Sequence, residues 1–498
     1  MNLASWLPLL TLGTSLLAAL VIFSLPEHRH GLRSTLNLAA ATLKLALVGW
    51  MILGVFQGQE FETRYTILPG IDFILRADAM AMLFAGLSAL LWLFTTIYAI
   101  GYLENSPNRS RFFAFFSLCV ASTMGIALAG NLFTFLFFYE LLTLATWPLV
   151  VHRGTEKAMR AGRIYLAYTL AGGVVLMFGV VWLYTLVGDV EFREGGMLHE
   201  APAHLHDTLV WVFALLIGGM AVKAAMVPLH GWLPVAMVAP APVSALLHAV
   251  AVVKAGAFGI IRVVYDLFGI EFAASLNLLT PLGIAAAITI IYGSLRALMQ
   301  SDLKRRLAFS TVSQVSYIIL GISLFGPIGT IGGLVHLLHQ GLMKITLFFA
   351  AGNYAETLGI HKIHELDGAG RRMPLTSLCF TIGALGMIGV PPTAGFISKW
   401  YLGIGAIEAG MHWAILVLVA SSLLNACYFL PLVYRLWFRR PPQSWPHEQQ
   451  LGRGETSRWL LLPPLATAGF TLAVGVFAGM ALSPLSWAEL VARLEYLQ

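Results

Sequence analysis

Windows of about 20 predominantly apolar residues, the length of helix needed to cross a hydrocarbon core about 30 Å thick, recur almost without pause along these 498 residues. Only 11% of the chain is charged and 58% is hydrophobic, against about 25% charged in soluble domains. A soluble protein is excluded. Disordered and collagen-like chains are excluded too, since there are 30 Phe and 13 Trp and no Gly-X-Y period. Cys119, Cys379 and Cys427 lie apart on apolar segments, which fits small core residues better than a disulfide or metal set. What remains is an all-α polytopic membrane protein.

The windows fall at about 3–25, 34–57, 79–103, 112–129, 132–151, 164–187, 208–234, 242–265, 277–299, 307–325, 328–354, 374–402, 411–434 and 459–484. The first lacks a basic leader and a cleavage site and reads as a retained span. These spans predict one membrane domain. It comprises three N-terminal spans (1–104), a five-span block (111–265), a second five-span block (277–437), and a last span with a short tail (459–498).

Lys and Arg are distributed unevenly between the two sets of loops. Loops after odd-numbered spans, with the adjoining span ends, hold 20 of them; loops after even-numbered spans, with the adjoining span ends (Arg262 included) and the C-terminal tail, hold 5. The positive-inside rule therefore places both termini outside a multi-pass cell membrane. That asymmetry accounts for the net charge of +6 without a nucleic-acid partner.

The five remaining basic residues are all lysines within spans: Lys44, Lys223, Lys254, Lys344 and Lys399. Glu140 is the one acid read as deep within an apolar segment. At about 2.5–3.5 kcal/mol each at the bilayer centre, six such residues cost roughly 15–20 kcal/mol if they face lipid, so they are expected to face one another or internal water. Lys44 has neither a break nor a histidine beside it, and would snorkel only if the second span were misplaced.

A lysine is costly in the membrane only while charged, because desolvation favours its neutral form. A carboxylate about 4 Å away, at an effective dielectric near 20, returns about 4 kcal/mol to the charged form. Moving such a pair apart or together expels or reloads a proton. His230, His248, His336 and His339 add groups that titrate near neutrality. His336 and Lys344 lie about two helical turns apart and share a face, whereas His339 is about 140° from Lys344. Asp78, at the start of the third span, reads as a helix cap or as a further site residue.

Pro228 follows Lys223, and Pro391 and Pro392 precede Lys399. Proline frees backbone groups that a membrane helix must satisfy elsewhere. Broken helices at corresponding positions of two halves point to a transport site made from inverted repeats. Spans 4–8 and 9–13 are such blocks, with the breaks in spans 7 and 12. No metal site, phosphate loop, dinucleotide fingerprint, haem attachment or iron-sulfur spacing is found, so no cofactor is expected. The chain has proton-handling groups without a redox centre of its own.

Phe138-Tyr-Glu140-Leu-Leu-Thr-Leu, Lys223-Ala-Ala-Met-Val-Pro-Leu-His230-Gly-Trp-Leu-Pro, Ala239-Pro-Ala-Pro-Val-Ser-Ala-Leu-Leu-His248 and the Lys399 segment resemble the antiporter-like subunits of respiratory complex I and of Mrp-type cation/proton antiporters. The resemblance implies fourteen helices with two inverted five-helix repeats and broken helices 7 and 12. By motif it implies a pairing of Glu140 with Lys223, a relay at Lys254 or His248, another at His336/Lys344 with His339 one place off the family's middle position, and an end at Lys399. It also implies other hydrophobic subunits as partners, with protons and Na+ as the transported ions. Length and the lysine in span 12 are most similar to the D-type Mrp subunit. The alternatives are a proton-pumping subunit of a redox complex (complex I or a membrane-bound hydrogenase) and the membrane component of an inorganic-carbon uptake complex.

Overall fold

The computed structural model describes residues 3–103, 106–188, 190–199, 201–448 and 454–496. Residue 104, the expected end of the N-terminal segment, and Arg453 and residues 497–498 of the last loop and tail lie outside the described residues.

Two helices, α1 (Leu3–Phe23) and α2 (His30–Phe56), precede a β-hairpin of β1 (Phe61–Leu68) and β2 (Ile71–Ala77). Then come α3 (Ala79–Tyr102), α4 (Arg109–Leu128), α5 (Leu132–Val150), α6 (Glu156–Val187) and α7 (His206–Lys223). The short α8 (Trp232–Val235) leads into α9 (Ala241–Ala249), α10 (Val252–Arg262) with a π-helical turn Val263–Phe268, and α11 (Ile270–Ser275). The second half holds α12 (Leu279–Leu298), α13 (Leu303–Ser323), α14 (Pro327–Leu358), the short α15 (Ala369–Arg372), α16 (Pro374–Ile388), α17 (Ala394–Glu408), α18 (His412–Phe438), α19 (Arg458–Val476) and α20 (Pro484–Tyr496).

Among the described residues twelve helical segments are long and apolar enough to cross a membrane, with Ala241–Phe268 counted as one. The other two expected spans are present in different form. α13 has 21 residues but carries buried Ser310, Thr311, Ser313, Gln314 and Ser316, which make it less apolar. The twelfth span is divided into α16 and α17.

The loops confirm the alternation. After even-numbered spans, β2 pairs with the turn at Ala129 and Asn131 pairs with Glu191, while Phe192 N–H donates to Gly130 O at 2.9 Å. After odd-numbered spans, Ser110 N–H donates to Glu27 Oε1 at 3.0 Å, Leu303 N–H to His361 O at 3.0 Å, and Gly368 N–H to Arg435 O at 2.9 Å. The two sets lie on opposite faces, here the hairpin face and the basic face.

Glycines let the long central helix approach its neighbours closely. A Cβ on Gly405 of α17 would meet the backbone of Gly329 on α14 at 2.5 Å, and one on Gly321 of α13 would meet Gly333 at the same distance. Where lipid removes the hydrophobic drive between helices, such small-residue contacts hold them together.

The structure adds to or corrects the sequence reading at four points. The segment between spans 2 and 3, to which the sequence reading assigns no element, is an antiparallel hairpin, with Phe61 opposite Ala77. Its Pro69-Gly70 turn requires the left-handed conformation that glycine supplies (φ 80° at Gly70). Span 14 ends at Val476, not near 484, and is followed by the separate helix α20. Span 8 is itself broken, at Val250 and Ala251 between α9 and α10. Lys44 does not snorkel: it is fully buried, donates to Ser15 Oγ and sits 4.6 Å over the Trp92 ring.

Candidate functional site

The ionisable residues expected in the spans sit in distinct surroundings on α5, α7, α10, α14 and α17. Glu140 projects from α5 and is half-buried, with Oε1 lacking a hydrogen-bond partner. It lies against α6 at Gly173, where any Cβ would collide with the carboxylate. Lys223, the last residue of α7, is fully buried. Its ammonium donates to the carbonyl of Tyr139 and lies 3.4 Å from the centre of the Tyr139 ring, a cation–π contact beside the glutamate. No ion pair within 4.0 Å joins Glu140 to Lys223; each nonetheless feels the other's charge.

Sequence chemistry explains why α7 stops there. Ala225 is left-handed (φ 57°) and the Val227–Pro228 bond is cis. The exposed carbonyls and amides find partners as the bilayer requires: Trp232 Nε1 donates to Val222 O at 2.7 Å, and Val227 N–H donates to Thr289 Oγ1 at 3.1 Å. His230 lies in this turn, half-buried, with its ring 5.0 Å from that of Tyr292. It faces the Phe309 end of α13 and does not join the Glu140–Lys223 pair.

The unforeseen break in span 8 separates its two titratable residues. His248 ends α9, fully buried, stacked on Phe348 at 4.6 Å, with neither ring nitrogen bonded. Lys254 begins α10 and donates to Leu337 O of α14 at 2.7 Å. No Pro or Gly marks this break, so composition carried no signal for it.

On α14 the two histidines have different surroundings. His336 Nδ1 bonds Ser398 Oγ at 2.8 Å, its ring stacks on Tyr317 at 5.2 Å, and it feels the charges of both Lys254 and Lys399. His339 is buried with both ring nitrogens unpaired and is not bonded into this row. Lys344 takes another route. Its Nζ donates to Ser310 Oγ at 2.8 Å, the Ser310 hydroxyl bonds the Tyr428 oxygen at 3.1 Å, Tyr428 O–H donates to Asn425 Oδ1, and Asn425 Nδ2 donates to Met387 O at 3.1 Å. Lys399 donates to that same carbonyl at 3.0 Å, to Ile388 O at 2.9 Å and to Ser422 Oγ at 3.0 Å.

Lys399 thus occupies the C-terminal end of α16, where unsatisfied carbonyls and the helix dipole favour a cation. Pro391 and Pro392, joined by a cis bond, create that end. The two breaks are not mirror copies: Lys223 precedes its break and Lys399 follows its own. Lys399, like Glu140, is half-buried, so the row reaches the lateral surface at both ends while everything between is fully buried.

Sequence reasoning missed the neutral links Ser310, Ser398, Asn425 and Tyr428. Their only signal was polar residues at helical spacing on α18, Ser421, Asn425 and Tyr428. It also counted Arg262 as a loop residue and took Glu140 as the one deep acid. Arg262 and Asp266 are 1% exposed and Glu495 is 5% exposed. Asp78 does cap α3, accepting from Ala81 N–H at 2.7 Å, and also pairs with Arg262 at 2.9 Å. Among the described residues no group of three or more His, Cys, Asp or Glu is arranged to hold a metal ion.

The family described as NADH:quinone oxidoreductase/Mrp antiporter, TM, matches residues 129–425, from the start of α5 to Asn425. The chain is 38% identical over 366 residues to NADH-quinone oxidoreductase subunit N of Desulforudis audaxviator, covering 72% of this chain and 70% of that protein. It is 29% identical to the A/B component of a probable K(+)/H(+) antiporter of Rhizobium meliloti, covering 94% of this chain but only 46% of that longer protein. In three dimensions it superposes on a chain of the Mrp complex from Dietzia sp. DQ12-45-1b with a TM-score of 0.88, 26% identity, and coverage of 100% and 98% of the two chains. The chain therefore belongs to the NADH:quinone oxidoreductase/Mrp antiporter transmembrane family, as an antiporter-like membrane component of a multisubunit complex.

Proposed function

We propose that this chain is the proton-translocating, D-type member of a multisubunit Na+/H+ antiporter. Protons move along a line from Glu140 through Lys223, Lys254 and His336 to Lys399, with Lys344 joined to the far end through Ser310, Tyr428 and Asn425. The observation that carries this reading is the set of fully buried ionisable groups, Lys223, Lys254 and His336, flanked by the half-buried Glu140 and Lys399. A charged group at a lateral surface in the membrane is costly against lipid, so each end is covered by another hydrophobic subunit. The unpaired polar atoms of His248, Gln314, His336 and Gln340 are satisfied by internal water, which conducts protons between the charged residues. The Lys/Arg asymmetry supports a cell-membrane location with the basic face in the cytoplasm and both termini outside.

The similarity to an NADH-quinone oxidoreductase protein favours a second reading, a proton-pumping subunit of a redox complex. Purification of the intact complex separates the two. Several small hydrophobic subunits without iron-sulfur or flavin proteins are expected, and copurifying redox proteins overturn the antiporter reading in favour of the second. In membrane vesicles, Glu140→Ala and Lys223→Ala are each expected to abolish exchange driven by a pH gradient; a wild-type rate in either contradicts the proton line.

A further inference from the structure

On the hairpin side of Lys254 lies a buried charged group that the line does not use. Arg262 ends α10, and Lys254, Phe258 and Arg262 are spaced four apart on one helix face. Eight residues of rise place Arg262 about 12 Å nearer the hairpin face. Its Nη2 donates to both carboxylate oxygens of Asp78 at 2.9 Å, its Nη1 to Asp266 Oδ2 at 2.8 Å, and its buried Nε has no partner. Below it, Phe258 packs on Phe84 with ring centres 4.8 Å apart, an apolar closure between Arg262 and Lys254.

Above Arg262 an open cavity of about 720 Å³ reaches the hairpin face, lined by Glu60, Glu62, Asp78, Glu194, Arg262 and Asp266 among others. α20 covers one side. Glu495 of that helix accepts from Gly195 N–H at 3.0 Å and shares a side-chain hydrogen bond with Asp266. Two carboxyl groups so joined do not both ionise, so the pair holds a proton. The other charges facing it are Arg76 from β2, Arg193 and Glu194 from the segment after α6, Asp78 from α3, and Glu60 and Glu62 from the hairpin.

We propose that this cavity is the chain's proton port to the hairpin face, with the Asp266–Glu495 carboxyl pair exchanging its shared proton with cavity water and Arg262 gating the way to Lys254. While both aspartates hold the guanidinium, its positive charge bars a proton from passing. Protonation of Asp266 removes one of those two ion pairs and frees Arg262 to move off the path. The port rests on the proton line proposed above, since it delivers to or drains Lys254.

The test uses the intact complex in sealed vesicles with the pH of each face set independently. Glu495→Gln and Asp266→Asn are each expected to shift the dependence of proton transport on hairpin-side pH by about one unit or more, with the profile on the basic side unchanged. A purely structural role lowers the rate at every pH without that one-sided shift, and an unshifted hairpin-side profile in both variants overturns the port. Independently, Gln59→Cys at the cavity wall, in a Cys427→Ser background, is treated with a membrane-impermeant thiol reagent. Blocking from the hairpin side is expected to slow transport about tenfold; no block, or block only from the basic side, overturns the proposal. Lys223→Ala measured alongside keeps the two ideas apart. If it transports normally the line fails; if it is inactive while the other variants behave as wild type, only the port fails.

Discussion

Gly173 decides where the Glu140 carboxylate sits, because hydrogen is the only substituent its Cα can carry there without striking Glu140. The struck atom is the free end of a flexible side chain, so Gly173→Ala is expected to fold and assemble but to displace the carboxylate. Misplacement of a reacting group by about 1 Å can cost up to about a hundredfold. A pH-gradient assay is therefore expected to show transport reduced on the order of tenfold or more at normal complex levels. Tyr428→Phe removes the hydroxyl linking Ser310 to Asn425. If Lys344 feeds Lys399 by that route, proton transport falls; a wild-type rate assigns all traffic to Lys254, His336 and Lys399. Charges in apolar windows made Glu140 and the lysines legible, since nothing else explains their energetic cost. Ser310, Asn425 and Tyr428 were not legible, because such residues are cheap in membrane helices and their meaning depends on which faces pack together.

At the scale of elements, a helix break is only as stable as the partners of its freed backbone groups. Trp232 is fully buried and its indole N–H covers Val222 O, one of those groups. Trp232→Phe leaves that carbonyl unsatisfied and is expected to cost about 1–3 kcal/mol, read as a lower unfolding temperature of the complex. α20 makes a different prediction. Burial, reinforced by the charge of Asp266, pushes the Glu495 carboxyl up to about 9. The docked helix therefore binds this proton more tightly than the free helix does. Its docking is complete below the ordinary carboxylate value of 4.5 and is lost as pH rises through about 9. Protection of the amides over 484–496, relative to their intrinsic base-catalysed exchange at each pH, is expected to fall across that interval, and Glu495→Gln to flatten the change; pH-independent protection in the wild type contradicts it. The proline breaks were readable from sequence. The break after Val250 was not, since no proline or glycine marks it. The hairpin had a signal, alternation in Phe61–Ile67 before Pro69-Gly70, that a search for long apolar windows passes over.

For the whole molecule, the loops on each face bind one another, fixing the alternation of fourteen crossings that apolar length and basic-residue counts anticipated. The titratable residues come from different crossings, and no property of a single span reveals which of them are brought together. It emerges only when α5, α7, α10, α14 and α17 are packed side by side. His336, bonded to Ser398 and set between Lys254 and Lys399, is the point where the two five-span blocks meet in this row. The most direct measurement is proton flux through the purified complex in proteoliposomes with His336→Gln, a substitution that keeps polarity and similar bulk but cannot take up a proton. Flux is expected to fall to about a tenth of wild type or less, at least about 1.4 kcal/mol in barrier, with the complex intact; an unchanged flux contradicts a proton line through the middle of the chain.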